Sequence, residues 1–322
     1  MLEALFFKPV FHEKIWGGRK LADMFGYDLP DGRIGECWAI SAHPHGRSQV
    51  ENGPYRGKFL DDLWAHEPEL FAGQHSGQPF PLLTKILDAE DSLSIQVHPD
   101  DKYAWQHEHE LGKTECWYII SADPGAYLIY GHQAKTVAEM KSMIAAADWD
   151  HFLKRLPVKA GDFVYVPSGT VHALNAGVVA LETQQSSDTT YRLYDYDRVD
   201  QQTHAKRPLH IQKSEEVITV PFKAPKLQIS SQHFGNNIVT NYIKPPLSPF
   251  FAVWGWEIAD SLVLHHEIGS YTLCSVISGS GNLVIDHESH ILQKGMHFLI
   301  PATVPDWQIE GQLHLIASEA VG

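Results

Sequence analysis

Apolar and polar positions alternate in short stretches along most of this chain, with Gly, Pro and Asp between them. Stretches 126–130, 162–166, 178–182, 271–277, 282–286 and 297–301 are rich in Val, Ile, Leu, Tyr and Phe. Such short runs, recurring every ~10 residues with turn signals between them, predict a sandwich or barrel of β-strands. Residues 1–8 read as a further strand or edge segment. Helical spacing is limited to 58–69, 102–111 and 136–156. The last carries an uneven apolar stripe of Val137, Met140, Met143, Ile144 and Trp149, which predicts packing. Residues 217–225, with Pro221 and Pro225, read as a connector. The expected organisation is therefore a unit of residues 1–225, holding the helices, and a β-rich unit of residues 226–322.

One strand departs from the plain alternation of core and solvent. In 94–101, Ser94, Gln96 and His98 share one face, and Ile95 and Val97 take the other. Three polar side chains in a row on one face need partners if they are buried. Water at a sheet edge and a metal ion both qualify, and this stretch alone does not choose.

The two units echo one another. Gly161 and Pro167 bracket an apolar strand, and His172 follows five residues after the proline. Gly295 and Pro301 bracket another, and Asp306 stands at the matching position. Aligning Ser121 with Ser278 sets Glu115 opposite Thr272. This is the mark of a duplicated β-unit whose first copy keeps candidate ligands and whose second has lost them.

Composition narrows the setting. The chain has 322 residues, with 25 Lys and Arg against 39 Asp and Glu, a formal charge of -14. That balance, with no basic run, argues against nucleic-acid and anionic-membrane partners. No apolar run approaches the ~18 residues of a membrane span, and residues 1–8 lack the pattern of a signal peptide. Cys37, Cys116 and Cys274 are odd in number and form no CxxC pair. They are expected to be buried thiols in a reducing, cytoplasmic setting. His265 and His266 are adjacent, face opposite sides of a strand, and are expected to be structural.

The chemistry-bearing residues come from three places. Gly161, Pro167, Gly169 and His172, with Asn175 shortly after, resemble the second signature of the cupins, small antiparallel jelly-roll barrels. Lys113 and Glu115 lie two apart on one strand face. They read either as a salt bridge or as a carboxylate ligand beside a lysine whose pKa a nearby cation lowers. His98, Glu115 and His172, with Gln96 as an optional fourth, form a mixed nitrogen and oxygen donor set. Such a set suits an open zinc site, and Fe, Mn or Co are not distinguished by it.

The motifs at 15–18, 35–38, 94–100, 113–118, 167–173 and 191–198, in this order, resemble the type I mannose-6-phosphate isomerases in their short bacterial form. The resemblance implies a mainly β bicupin: two cupin-type jelly-roll barrels, with a few helices on the first and no metal in the second. It implies one Zn2+ per chain on Gln96, His98, Glu115 and His172. It makes Arg192, Lys113 and Glu182 the catalytic residues, and puts Ser94, Lys85, Arg198, Trp16 and Glu36 at the substrate and its phosphate. Arg198 stands where longer relatives have a lysine. The activity implied is interconversion of mannose 6-phosphate and fructose 6-phosphate by proton transfer between C1 and C2 through an enediolate. The partner implied is a soluble sugar phosphate, with the chain a monomer or dimer. The alternatives are another metal-dependent cupin enzyme of the dioxygenase kind and a non-catalytic sugar-binding bicupin. Read on their own, Arg192 and Arg198 also fit a surface ladder with Asp195 and Asp197. Two departures bear on substrate contacts: Ile15 replaces an acidic residue of longer relatives, and there is no room for their large helical insertion.

Overall fold

The computed structural model describes residues 3–73, 77–200 and 204–321. The first unit is a sandwich of two antiparallel sheets. One has six strands in the order Phe163–Val166, Glu115–Ala122, Val178–Gln185, Leu82–Ala89, Val10–Gly18 and Ile34–Ile40. The other has five: Tyr191–Tyr194, Ile95–Val97, His172–Leu174, Tyr127–His132 and Leu153–Pro157. The sheets face each other as in a cupin, but they do not close into continuous barrels.

Alternation along these strands sorts the side chains into layers. Between the sheets pack Trp117, Leu128, Val164, Leu174 and Val178. On the outer face of the five-stranded sheet, Ile95, Val97 and Ile129 pack under Met140, Ile144 and Phe152. On the outer face of the six-stranded sheet, Ile86, Cys116 and Leu181 pack against Phe251, Leu273 and Ile316 of the second unit. The second unit thus covers an apolar face of the first. All three cysteines are free and buried.

The second unit is built on a ten-stranded sheet with its own core around Trp254, Leu283, Phe298 and Trp307. Its sheet takes in the start of the chain. Leu5–Lys8 pairs with His297–Ile300 on one side and with Gln49–Val50 on the other. One core is shared by both units, joining Ile86 and Leu181 to Phe251 and Leu273, and the first strand adds Phe6 to the core of the second.

The register bears out the repeat. Glu115 pairs with Val166, the residue before Pro167, and Thr272 pairs with Ile300, the residue before Pro301. The helices are shorter than the apolar spacing suggests. Helix Leu60–His66 falls inside its expected span, and helix Asp101–His107 starts one residue before the expected 102–111, capped by Asp100, which accepts the Tyr103 N–H at 2.8 Å. The single helix expected over 136–156 is three elements: helix Val137–Ala145, the turn Trp149–Phe152 and strand Leu153–Pro157. Ala147, in the left-handed region at φ 51°, ends the helical run, and pairing with Tyr127–His132 takes the rest into the sheet.

Candidate active site

His98, Glu115 and His172 converge in the interior between the two sheets, all buried, with their ligand atoms within 4.8 Å of one another. Glu115 comes from the start of its strand. His172 comes from the turn after Pro167, and His98 follows Ile95–Val97. Cross-strand pairing of Gln96 with His172 brings these segments together. His172 Nε2 lies 3.2 Å from Glu115 Oε1, and His98 Nε2 lies 3.5 Å from Oε2. Gln96 Nε2 lies 3.3 Å from His172 Nε2.

Each ring has its other nitrogen committed. His98 Nδ1 donates to the Thr189 carbonyl at 2.9 Å, and His172 Nδ1 donates to the Thr170 carbonyl at 2.8 Å. That fixes the tautomers and leaves both Nε2 lone pairs pointing at the carboxylate, the arrangement of metal-binding histidines. Burial holds His98 well below its ordinary pKa and His172 down to about 4, so both rings are neutral at physiological pH. Neither Glu115 oxygen receives a hydrogen bond of proper geometry, although Lys113 Nζ approaches Oε2 to 3.0 Å as an ion-pair partner. A carboxylate buried with both oxygens unspent, faced by two imidazole lone pairs, is what a divalent cation requires. The residues fit the group.

The cluster opens onto a cavity of about 270 Å³. Of the residues expected at substrate, Trp16, Glu36, Lys85, Ser94, Lys113, Glu182 and Arg192 line it, as does Gln96. A larger groove of about 600 Å³ around Tyr242 and Leu247 carries no carboxylate or histidine, so size does not identify the site.

One expectation needs correction and another gains an opposing effect. The lowering expected for Lys113 comes from a cation on Glu115; the chain's own groups act the other way, since burial works to lower the Lys113 pKa but Glu115 and Glu182 outweigh it and hold it above the ordinary lysine value. Lys113 is a charged donor here, 3.2 Å from His98 Nε2 and 4.0 Å from Glu182 Oε1. Arg198 does not line the cavity. It faces a neighbouring groove with Lys14 and Arg33, its guanidinium held by Asp195 at 2.5 Å and by the Ser92 carbonyl at 2.5 Å.

Arg207 stands in the cavity instead, braced on Asp195 by bonds of 2.9 and 2.7 Å. Lys14, Asp188, Thr190 and His210 also line it and were not anticipated. They come from three separate segments, around residues 14, 188–190 and 210, with no common spacing. Only Lys14, beside the motif at 15–18, had a local signal. His210 accepts the backbone N–H of Arg192 at 3.1 Å, which helps hold that strand end.

The electrostatics divide the cavity. Lys14, Lys85, Lys113, Arg192 and Arg207 face Glu36, Glu182 and Asp188, an excess of positive charge that suits an anion. Glu36 is a positioning group: it accepts from Trp38 Nε1 at 2.7 Å and pairs with Lys14 at 3.3 Å and Lys85 at 3.7 Å. Burial opposes its ionisation, but these two lysines hold its pKa far below the carboxylate range. Glu182 goes the other way. Burial, then Glu115, raises its pKa, while Trp117 Nε1 donates to it at 2.8 Å.

Comparison with known proteins matches this layout to one family. Residues 5–141 match the description "Phosphomannose isomerase type I, catalytic domain", and residues 241–320 match "Mannose-6-phosphate isomerase, cupin domain". A mannose-6-phosphate isomerase of Streptococcus mutans is 52% identical over 99% of both chains. The chain belongs to the type I phosphomannose isomerase family. Another member, ManA of Bacillus subtilis, is 49% identical over 98% of both chains. The crystal structure of a mannose 6-phosphate isomerase from Bacillus subtilis superposes with a TM-score of 0.94 at 47% identity, covering 98% of this chain and 99% of that one. A phosphomannose isomerase from Salmonella typhimurium shares the fold at a TM-score of 0.77 and 15% identity, covering 99% of this chain and 100% of that one. Within the phosphomannose isomerase family, then, this chain and these two bacterial relatives match over nearly the whole of both sequences.

Proposed function

We propose that this chain interconverts mannose 6-phosphate and fructose 6-phosphate, with one zinc ion held by His98, Glu115 and His172 and with Gln96 as fourth ligand. The observation that carries this reading is the buried Glu115 carboxylate, unspent between two neutral, oriented imidazoles and open to a cationic cavity. When bound, the ion supplies Lewis acidity, which makes the C–H beside the sugar carbonyl acidic.

The remaining chemistry falls to this chain's own groups. Glu182 is the base that lifts the proton from C1 or C2 and returns it to the neighbouring carbon. Its burial makes the ionised carboxylate a stronger base, and Trp117 fixes the oxygen it presents. Lys113, held charged by Glu115 and Glu182, donates to the oxygens of the enediolate. Arg192 adds a second positive charge at the same place. Its guanidinium makes no ion pair among the described residues, and it lines the cavity. The phosphate is taken by Lys85 and Arg207. Ser94 lines the cavity beside Gln96, whose amide oxygen is the atom that would ligate. Trp16 forms part of the wall. Three free, buried thiols support a reducing, cytoplasmic setting.

The test uses purified full-length protein and mannose 6-phosphate, before chelation, after it, and after zinc is restored. Fructose 6-phosphate should form, stop forming and form again. No product from the metal-replete protein sinks the reading. Undiminished activity after thorough chelation removes the metal from it.

A further inference from the structure

Behind the five-stranded sheet lies a second cavity, of about 310 Å³ against about 270 Å³ for the cleft. Ile95 and Ile129 form its floor, pointing away from the cleft, while the next residue along, Gln96, points into it. A register shift between Arg192 and Tyr194 re-aims the second strand. Arg192 faces the cleft and Tyr194 faces the rear cavity, where it stacks on Trp149 with ring centroids 5.0 Å apart. The two cavities therefore stand back to back on the same two strands.

The rear cavity is built for a ligand. Asn175, the cupin-signature residue that the isomerase chemistry does not use, is 5% exposed and lines it. Its Nδ2 donates to Ser92 Oγ at 3.1 Å, but its buried Oδ1 has no partner among the described residues. Ala147 and Tyr196, also in the lining, hold left-handed backbone at φ 51° and 55°, an uncommon conformation for residues with side chains.

The lining also selects. Trp149, Tyr194 and Tyr196 offer aromatic surface for the apolar C–H side of a ring, and Asp150, with the Asp148 oxygen that His151 does not take, offers acceptors for hydroxyls. Arg155 is the one cation in this lining and is 3.7 Å from Asp150, so nothing there rewards a phosphate. We propose that the rear cavity is a second small-molecule site that takes an unphosphorylated hexose and acts on the isomerase cleft through the strands they share. Its volume, no smaller than that of the cleft, suits one monosaccharide.

The experiment titrates D-mannose into the full-length, zinc-loaded protein by calorimetry, with mannose 6-phosphate as competitor, and repeats this on Trp149→Ala and Asp150→Asn. Asp150 is at the surface, its side chain 91% exposed, so its replacement leaves the fold intact should the tryptophan variant fail to fold. Mannose should bind wild type with saturating mannose 6-phosphate present. Its affinity should fall about tenfold in Trp149→Ala and about threefold in Asp150→Asn. Basal turnover of mannose 6-phosphate should be unchanged in Asp150→Asn, and added mannose should change wild-type kcat. The proposal is overturned by any of four results: no binding up to about 10 mM, displacement by mannose 6-phosphate as at a shared cleft, affinity untouched by the Asp150 substitution, or a wild-type kcat that saturating mannose leaves unchanged. None depends on which reaction the cleft catalyses.

Discussion

Alanine at Arg207 and, separately, at Arg198 sets two arginines of one loop region against each other. Both bond to Asp195, so either variant leaves that carboxylate with a partner and the loop with an anchor. They differ in where the remaining donors go. Arg198 spends its other guanidinium nitrogen on the Ser92 carbonyl and lies over the Tyr196 ring at 5.1 Å, outside the cleft. Arg207 holds Asp195 through Nε and one terminal nitrogen, and it lines the cleft beside Arg192. A charge-assisted hydrogen bond from Arg207 to the substrate phosphate is worth about 1.5–3 kcal/mol. At about 1.4 kcal/mol per tenfold, Arg207→Ala should lose about 10- to 150-fold in kcat/KM, most of it in KM. Arg198→Ala should stay within about threefold of wild type, as for a pair held outside the site. Initial rates of fructose 6-phosphate formation across substrate concentrations give both values. Inorganic phosphate as a competitive inhibitor should weaken in the same order. An equal or larger loss in Arg198→Ala refutes the assignment, because the phosphate would then reach the outer groove rather than the cleft.

Three further outcomes follow from the buried network. Adding zinc at ~100 times its Kd to the chelated protein should stabilise it by about 2.7 kcal/mol, and Glu115→Gln should remove most of that rise in Tm; an unchanged rise would place the ion elsewhere. His297, with its ring between the Tyr27 and Ser275 hydroxyls, has its pKa lowered by burial from 6.5 to about 3. Below pH 6.5 the unfolded chain takes a proton that the folded chain refuses. Urea titrations should therefore show His297 removing about 1.4 kcal/mol of stability per pH unit down to about pH 3, and His297→Gln should flatten the slope by that amount. Glu319→Ala should cost about 1–3 kcal/mol, because it takes the acceptor from three backbone N–H groups and from the buried Thr272 hydroxyl, while leaving KM for mannose 6-phosphate unmoved; a changed KM would tie the second unit to the cleft.

The parts legible in the sequence were those written in local periodicity. Period two put Gln96 and His98 on one face with Ile95 and Val97 on the other, and the sheet obeys it. The repeat gave the correct register because both copies keep a proline after the same paired residue. Less was legible where distance in the chain hid the partner. Leu5–Lys8 reads as a strand, but nothing local says that it pairs with residues near 298. Arg207 and His210 lie past the motif at 191–198, and only the turn that follows it brings them to the cleft. The long helix failed at Ala147, since apolar spacing cannot register one left-handed residue. The chain's own effect on Lys113 was hidden for a different reason. Its sign depends on the second carboxylate, Glu182, which arrives from a strand about 70 residues later by cross-strand pairing with Trp117.

The duplicated unit supplies a control for the site. Both units bury a carboxylate near the end of the same pair of strands. In the second, Glu319 accepts the N–H groups of Glu267, Ile268 and Gly269 at 2.7–3.1 Å and the Thr272 hydroxyl at 2.7 Å. His266 closes the remaining space, bonding Thr272 at 2.8 Å and the Val304 carbonyl at 3.0 Å. Every strong acceptor there is satisfied from within the chain, which is what stability alone demands. In the first unit Glu115 stands where Thr272 stands in the second; Lys113 pairs with it at 3.0 Å, but neither oxygen takes a well-formed hydrogen bond. The cost of such a group is borne only where something outside the chain completes it. The two carboxylates thus differ less in burial than in whether the chain itself uses them, and that difference separates a structural pocket from a catalytic one.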